Sequence, residues 1–193
     1  MSNNKHTDIL VIGSGPGGYA AAFRAADLGR EVTLVDKDPT LGGVCLNRGC
    51  IPSKTLLHIS KVLEEAESLK KMGVTFTKPT IDIDLVRDWK NKVVSQLSGG
   101  IGQMAKARKV NTIQAEATFL SNNEVQLKSE SSTEKITFDH CIIASGSSST
   151  IIPGIPFDNE NVLTSKTALD LEKIPKSLLA VSYTHLTLPT TGI

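Results

Sequence analysis

The chain has 193 residues, 39% of them hydrophobic, with 15 Gly and 8 Pro, which suits one ordinary domain and falls short of two full ones. Lys+Arg 21 against Asp+Glu 20 leaves a formal charge of +1, so no global field invites nucleic acid or an anionic membrane. No apolar run approaches the roughly 20 residues of a membrane helix, polar Met1–Asp8 is no signal peptide, and three cysteines make no secreted disulfide framework; the expectation is a soluble, cytoplasmic α/β domain.

Asp8–Gly13 is a β-branched run that closes on glycine, the pattern of a buried parallel strand. Ala-rich Gly17–Gly29 predicts a helix with Tyr19, Phe23, Ala26 and Leu28 on one face and Gly29 at its end. Glu31–Asp36 reads as a second strand, which completes a right-handed βαβ unit. After the loop Lys37–Gly43, Val44–Met72 predicts a long helix. Asp82–Lys109 predicts another, with Leu85, Trp89, Val93, Leu97, Ile101 and Met104 recurring every three to four residues and Gly99-Gly100 as a bend point. Val110–Ala117, Glu124–Leu127, Lys135–Phe138 and His140–Ala144 read as strands joined by polar turns, a β meander. Ser165–Leu171 predicts a short helix, and Ser177–Val181 the start of a further buried strand. Residues 1–150 are assigned to a dinucleotide-binding domain and 151–181 to a connection toward a truncated second domain. Residues 182–193 have no period and read as a foreign tail, like translated vector or adaptor sequence.

Gly13-Ser-Gly15-Pro-Gly17-Gly18 is G-x-G-x-x-G set between a predicted strand and a predicted helix. The first glycine permits the turn, the second lets a pyrophosphate approach the backbone, and the third allows close helix–strand packing. Helix N-terminal N–H groups then hold the anion. Asp36 stands at the end of the second strand, where a carboxylate accepts hydrogen bonds from a ribose diol. These residues point to a dinucleotide without choosing between FAD and NAD.

Cys45 and Cys50 lie within Gly42-Gly43-Val44-Cys45-Leu46-Asn47-Arg48-Gly49-Cys50-Ile51-Pro52-Ser53-Lys54. Five residues of ideal helix rise about 7.5 Å, beyond the roughly 6.8 Å Cα limit of a disulfide. A bridge therefore needs a distorted turn, which Gly49 permits. Such a bridge is redox-labile, and a helix N-terminus lowers a thiol pKa. Two packed free thiols fit the same residues. Zinc is disfavoured because no second Cys/His pair stands at ligand spacing, and Cys141, within a predicted strand, reads as a packed core thiol.

Gly13–Gly18, Asp36, Gly42–Lys54 and Ile142–Ser147 together resemble the FAD-dependent pyridine nucleotide–disulfide oxidoreductases over about residues 6–181. Within these, Cys50–Lys54 and Trp89–Val110 are most similar to the bacterial dihydrolipoamide dehydrogenases. The resemblance implies a Rossmann-like FAD-binding domain with a parallel sheet, inserted long helices and a β meander. It implies FAD at Gly13, Gly15, Pro16, Gly17 and Gly18, with Asp36 and Lys37 at the adenosine ribose; glutamate is commoner at position 36, so the shorter aspartate shifts that contact or admits a water. Gly42, Gly43, Val44, Cys45 and Lys54 would border the cofactor, as would the backbone around Ala117 and the turn Ser145-Gly146-Ser147. As catalytic residues it implies Cys45, the thiol that exchanges with a lipoyl sulfur; Cys50, against the flavin; and Lys54, near the flavin N5.

The implied reaction oxidises the dihydrolipoyl group of an acyltransferase subunit in 2-oxo acid dehydrogenase complexes, with NAD bound elsewhere in a homodimeric parent. No second G-x-G-x-x-G follows Val181, so the NAD and dimer domains are expected to be missing, and the chain alone to hold FAD weakly without completing turnover. The family's base is expected in the missing part. His185 is not assigned that role, and His6, His58 and His140 read as surface or packing residues. The rivals are a mercuric- or glutathione-reductase-like flavoprotein, with Ile51-Pro52-Ser53 against the glutathione type, or a catalytically incompetent FAD-binding fragment.

Overall fold

Residues 5–181 are described by the computed structural model, and the tail 182–193 read as foreign lies outside them. The elements run β1 (Lys5–Ile12), α1 (Pro16–Asp27), β2 (Val32–Asp36), α2 (Gly43–Arg48), α3 (Cys50–Ser68), a 3-10 turn (Leu69–Met72), α4 (Ile83–Ala107), β3 (Asn111–Gln114), β4 (Glu116–Phe119), β5 (Glu124–Lys128), β6 (Thr133–Ile143) and α5 (Ser165–Ala168). One six-stranded sheet has the order β3-β2-β1-β6-β5-β4. It is parallel from β3 to β6 and antiparallel from β6 to β4.

The apolar runs of β1 and β2 follow from burial on both faces. Val11, Val32 and Leu34 meet α1 and α4 in one core, through Ala22, Phe23, Ile101 and Ala105. Leu10 and Val35 point the other way, against Val125, Leu127, Ile136 and Phe138 of the meander. Leu10, Val11, Leu34 and Val35 are fully buried, and each such side chain stabilises the fold by about 1.5–3 kcal/mol. The βαβ unit and the meander are where the sequence places them.

Several elements differ in detail. The predicted strand Val110–Ala117 is two strands, β3 on β2 and β4 on β5, divided at Ala115, whose N–H donates to the Asp36 carbonyl at 2.8 Å. That single residue carries the chain from the parallel edge into the meander. The two strands predicted over 135–144 are one, β6. Ile136, Phe138 and Cys141 all pack against the second core, so the alternation slips by one near Asp139 and looks like a break. The helix predicted over Val44–Met72 is interrupted at Gly49. α5 stops at Ala168 rather than Leu171.

Three expectations are corrected. Leu85, Trp89, Leu97 and Met104 of α4 are exposed, whereas Lys90, Ser98, Ile101 and Ala105 are buried. α4 approaches the sheet through Ile101 and Ala105, so of the expected stripe Ile101 is in the core while Leu85, Trp89, Leu97 and Met104 are not. Leu28 of α1 is likewise outside the core. Residues 177–181 form no strand, and Leu179 is 86% exposed. A strand needs a neighbour to complete its ladder, and none among the described residues pairs with this segment.

Candidate active site

β1 delivers Gly13 into the turn before α1, and the packing there is tight. A Cβ on Gly13 would lie 2.1 Å from the Ala144 carbonyl oxygen, and one on Gly18 would lie 1.7 Å from the Gly13 carbonyl oxygen. Gly13 also has φ +101, which side chains rarely adopt. Gly15 and Gly17 are the opposite case, because a Cβ on either meets nothing within 4 Å. Open space therefore lies over the start of α1. That helix has Pro16 in its first turn, no acidic residue there and no side-chain cap. Its free N–H groups face that space without a competing carboxylate.

Asp36 ties this turn to the end of β2. One carboxylate oxygen accepts from both the Ser14 N–H and the Ser14 hydroxyl, each at 2.6 Å. The other accepts from the Asp38 N–H at 2.9 Å. Burial pushes the Asp36 carboxyl up, but the bonds from Ser14, Asp38 and Lys37 outweigh it and hold it below its ordinary value. The Lys37 contribution comes from its backbone. Two oxygens offer about four lone-pair sites, so Asp36 keeps little accepting capacity for a ribose and is first a clamp on the turn.

A cavity of about 440 Å³ opens beside Asp36, bounded by Asp38–Leu41, by Thr112 and Gln114 of β3, and by Ser95, Ser98, Gly99 and Gly102 of α4. The α4 residues were not singled out from the sequence, where Gly99-Gly100 read only as a bend. Their signal was the run of small side chains on one stretch of a helix. A Cβ on Gly99 or Gly102 meets nothing within 4 Å, so this wall is thin by composition.

The second glycine pair stacks on the first. The Gly42 N–H donates to the Ser14 carbonyl at 2.9 Å, and a Cβ on Gly43 would lie 2.7 Å from the Gly15 Cα. α2 starts at this contact and carries Cys45; α3 starts at Cys50. Gly49 is the only residue between the helices. Val44 and Lys54 are exposed, Cys45 is half-buried and Cys50 exposed.

Both cysteines are free thiols, one on either side of the Gly49 joint. A hydrogen bond shared with Cys50 is the largest influence on Cys45, followed by burial and the charge of Cys50, and together they push the Cys45 thiol up. Lys54 and the Cys50 backbone N–H pull it down without prevailing. At Cys45 the expected lowering by a helix N-terminus is therefore outweighed by its partner thiol. Two neighbouring thiols, near a lysine and at a helix joint, can exchange with an external disulfide or dithiol. Cys141 is half-buried on β6, and burial pushes its thiol up.

The remaining predicted residues sit at the margins. The Ser145 backbone nitrogen lies against Gly13, at 3.0 Å from a Cβ built there, and Gly146 and Ser147 follow in an exposed stretch that forms no regular turn. Ala117 is half-buried on the edge strand β4 against the second core, two residues from the Ala115–Asp36 bond. No contact joins it to the cysteine pair among those described.

The sequence profile described as "Pyridine nucleotide-disulphide oxidoreductase" matches residues 7–181. The chain belongs to that family. Among curated relatives, the dihydrolipoyl dehydrogenase of Vibrio cholerae is 46% identical over 179 residues, 93% of this chain and 38% of its own length. The dihydrolipoyl dehydrogenase of Bacillus subtilis is 46% identical over 175 residues, 91% of this chain and 37% of its own. A solved copper(II) complex of a mutant HOCl-induced flavoprotein disulfide reductase from Escherichia coli superposes with a TM-score of 0.72 at 26% identity, covering 89% of this chain and 36% of that one. The chain thus spans less than two-fifths of the length of these relatives. Within the family's shared region lie both the glycine turn and the cysteine pair. No helix among the described residues is long and apolar enough to cross a membrane.

Proposed function

We propose that this chain is the FAD-binding, disulfide-bearing part of a dihydrolipoyl dehydrogenase. Residues 1–150 form the cofactor domain and 151–181 lead toward the next. The observation that carries the reading is the placing of Cys45 and Cys50 on either side of the Gly49 joint, on helices stacked against an open glycine cradle.

The residues present fit FAD. The start of α1 around Gly15–Gly17 would hold the pyrophosphate, the cavity beside Asp36 would take the adenosine end, and Gly42, Gly43, Val44 and Ser145–Ser147 would border the remainder. Ala117 backs the adenine side from β4. The spent capacity of Asp36 leaves its ribose contact to its last free lone pair or to a water. Bound FAD supplies a two-electron acceptor between the cysteine pair and NAD⁺.

In the oxidised state Cys45 and Cys50 form a disulfide. A dihydrolipoyl thiolate attacks the Cys45 sulfur, the S–S bond breaks and Cys50 leaves as a thiolate. The second lipoyl thiolate then attacks the mixed disulfide, which frees the oxidised lipoyl ring and a reduced Cys45. Lys54, whose charge already acts on Cys45, favours negative charge at this centre. NAD⁺ would be the final acceptor of the two electrons and one proton, the second proton going to solvent, and would be bound in the parent outside residues 7–181. The acyltransferase-borne lipoyl group, the 2-oxo acid dehydrogenase complex, the homodimer and a cytoplasmic location belong to the same proposal.

The test is NADH formation from dihydrolipoamide by the full-length parent, with C45S and C50S beside it. Turnover that either substitution abolishes supports the reading. A parent that ignores dihydrolipoamide and instead reduces glutathione disulfide or mercuric ion overturns it.

A further inference from the structure

Arg48 is the last residue of α2 and stands immediately before the Gly49 joint that separates the two thiols. Its guanidinium pairs with the Asp38 carboxylate, and both side chains are less than a third exposed. A charge-assisted bond so shielded is stronger than a surface pair. The Asp38 N–H donates to Asp36, which holds the Ser14 N–H and hydroxyl. Ser14 in turn accepts from Gly42, the residue that caps the start of α2. The contacts therefore close a ring: Ser14, Asp36, Asp38, Arg48, then back along α2 to Gly42 and Ser14. Asn47 reinforces it, reaching the Thr40 and Leu41 carbonyls at 3.3 and 3.4 Å.

We infer that the Asp38–Arg48 ion pair is a positioning pair that sets the thiol–disulfide equilibrium of Cys45 and Cys50 by holding the Gly49 joint in the frame of the glycine turn. This rests on the reading of the two cysteines as a redox pair. The physical reason is effective concentration. Cys45 rides on α2 and Cys50 opens α3, so their approach depends on the one joint between the helices. With Arg48 fixed, the joint holds the two cysteines as neighbours. With it released, Gly49 gains freedom in the dithiol state, and ring closure must remove that freedom. Loss of the pair therefore disfavours the disulfide. The same ring includes the turn under the cofactor cradle, so coupling runs both ways.

The experiment equilibrates the full chain with glutathione and glutathione disulfide, without added FAD, and reads the Cys45–Cys50 disulfide by acid quench, alkylation and mass. Two protein thiols give up two electrons and two protons. One protein S–S bond forms, the S–S bond of glutathione disulfide breaks, and two glutathione thiols leave. In D38N and R48Q the equilibrium constant for protein disulfide formation is expected to fall about tenfold, equivalent to about 30 mV for a two-electron couple. R48K, which keeps the charge, stays within about threefold, and the swap D38R/R48D recovers part of the loss. Circular dichroism accompanies each variant, and if D38N and R48Q fail to fold, a folded R48K that departs more than threefold from the unsubstituted chain overturns the inference. Equilibrium constants within twofold of the unsubstituted chain in both D38N and R48Q would overturn the inference alone. An unsubstituted chain that never forms the Cys45–Cys50 disulfide would overturn the redox reading and this inference together.

Discussion

Ser14 presents its backbone N–H and its hydroxyl to the same oxygen of Asp36, both at 2.6 Å, although the two residues are 22 apart in the chain. The acidic residue that closes the βαβ unit thus shapes the glycine turn itself. An amide in its place offers one acceptor oxygen and sets an NH₂ against a donor. Asp36→Asn should cost about 2 kcal/mol of stability and weaken FAD binding at least tenfold, read by denaturant unfolding and fluorescence titration.

The pH dependence has a definite sign. The folded Asp36 carboxyl lies below its ordinary value of 3.8, so its contribution is complete above that value and is lost as pH falls through the lowered one. The unsubstituted chain should lose stability more steeply than Asp36→Asn on acidification below about pH 4. Parallel stability curves for the two proteins would remove Asp36 from the account.

Gly15 and Gly18 should separate ligand binding from folding. A Cβ at position 18 meets the Gly13 backbone and cannot be relieved by a side-chain rotation, so Gly18→Ala should cost on the order of 3 kcal/mol or prevent folding. A Cβ at position 15 meets only open space. Gly15→Ala should fold with little change in melting temperature yet lose FAD, as read by calorimetry and retained absorbance.

Alkylation of the reduced chain tests the arrangement at Cys45. Cys50 supplies the largest influence that pushes its thiol up, and Lys54 opposes it. Cys50→Ala should move the pH profile of Cys45 alkylation to lower pH, and Lys54→Met should move it higher. Mass spectrometry at Cys45 reads both, and an unmoved profile in the two variants would sink the assignment.

What the sequence made legible was local. The glycine turn, Asp36 at a strand end and the two cysteines around Gly49 are short-range patterns whose chemistry dictates their spacing. β1 and β2 were equally plain, because burial on both faces demands unbroken apolar runs. The face of α4 was not. Leu85, Trp89, Leu97 and Met104 of its apolar stripe are exposed, while Ile101 is buried together with Lys90 and Ser98, a division that no helical period reports. The Asp38–Arg48 pair joins a loop to a helix end ten residues away, which no periodicity encodes. Of the α4 wall of the cavity, only Gly99 drew notice in the sequence, as part of a bend point.

The connection after the sheet is fastened by cations of α4. Lys90, only 4% exposed, donates to the Leu169 carbonyl at 2.5 Å. Arg87 donates to the carbonyls of Asp170, Leu171 and Glu172. These carbonyls follow the end of α5, where positive charge is favoured. Arg87→Ala should raise hydrogen exchange at the Leu169 and Asp170 amides by about tenfold, leaving β1 and β2 unchanged. Lys90→Met, which leaves the Leu169 carbonyl without its donor, should cost about 1 kcal/mol. Unaltered exchange at 169 and 170 would show that the cations do not hold this segment.

The most direct measurement is the visible absorption spectrum of the purified full chain with FAD, before and during anaerobic titration with dihydrolipoamide. The account predicts bound flavin bands and, as two electrons enter, a new long-wavelength absorbance that C50S abolishes. A colourless protein that takes up no FAD, or a spectrum that dihydrolipoamide leaves unchanged, would contradict it.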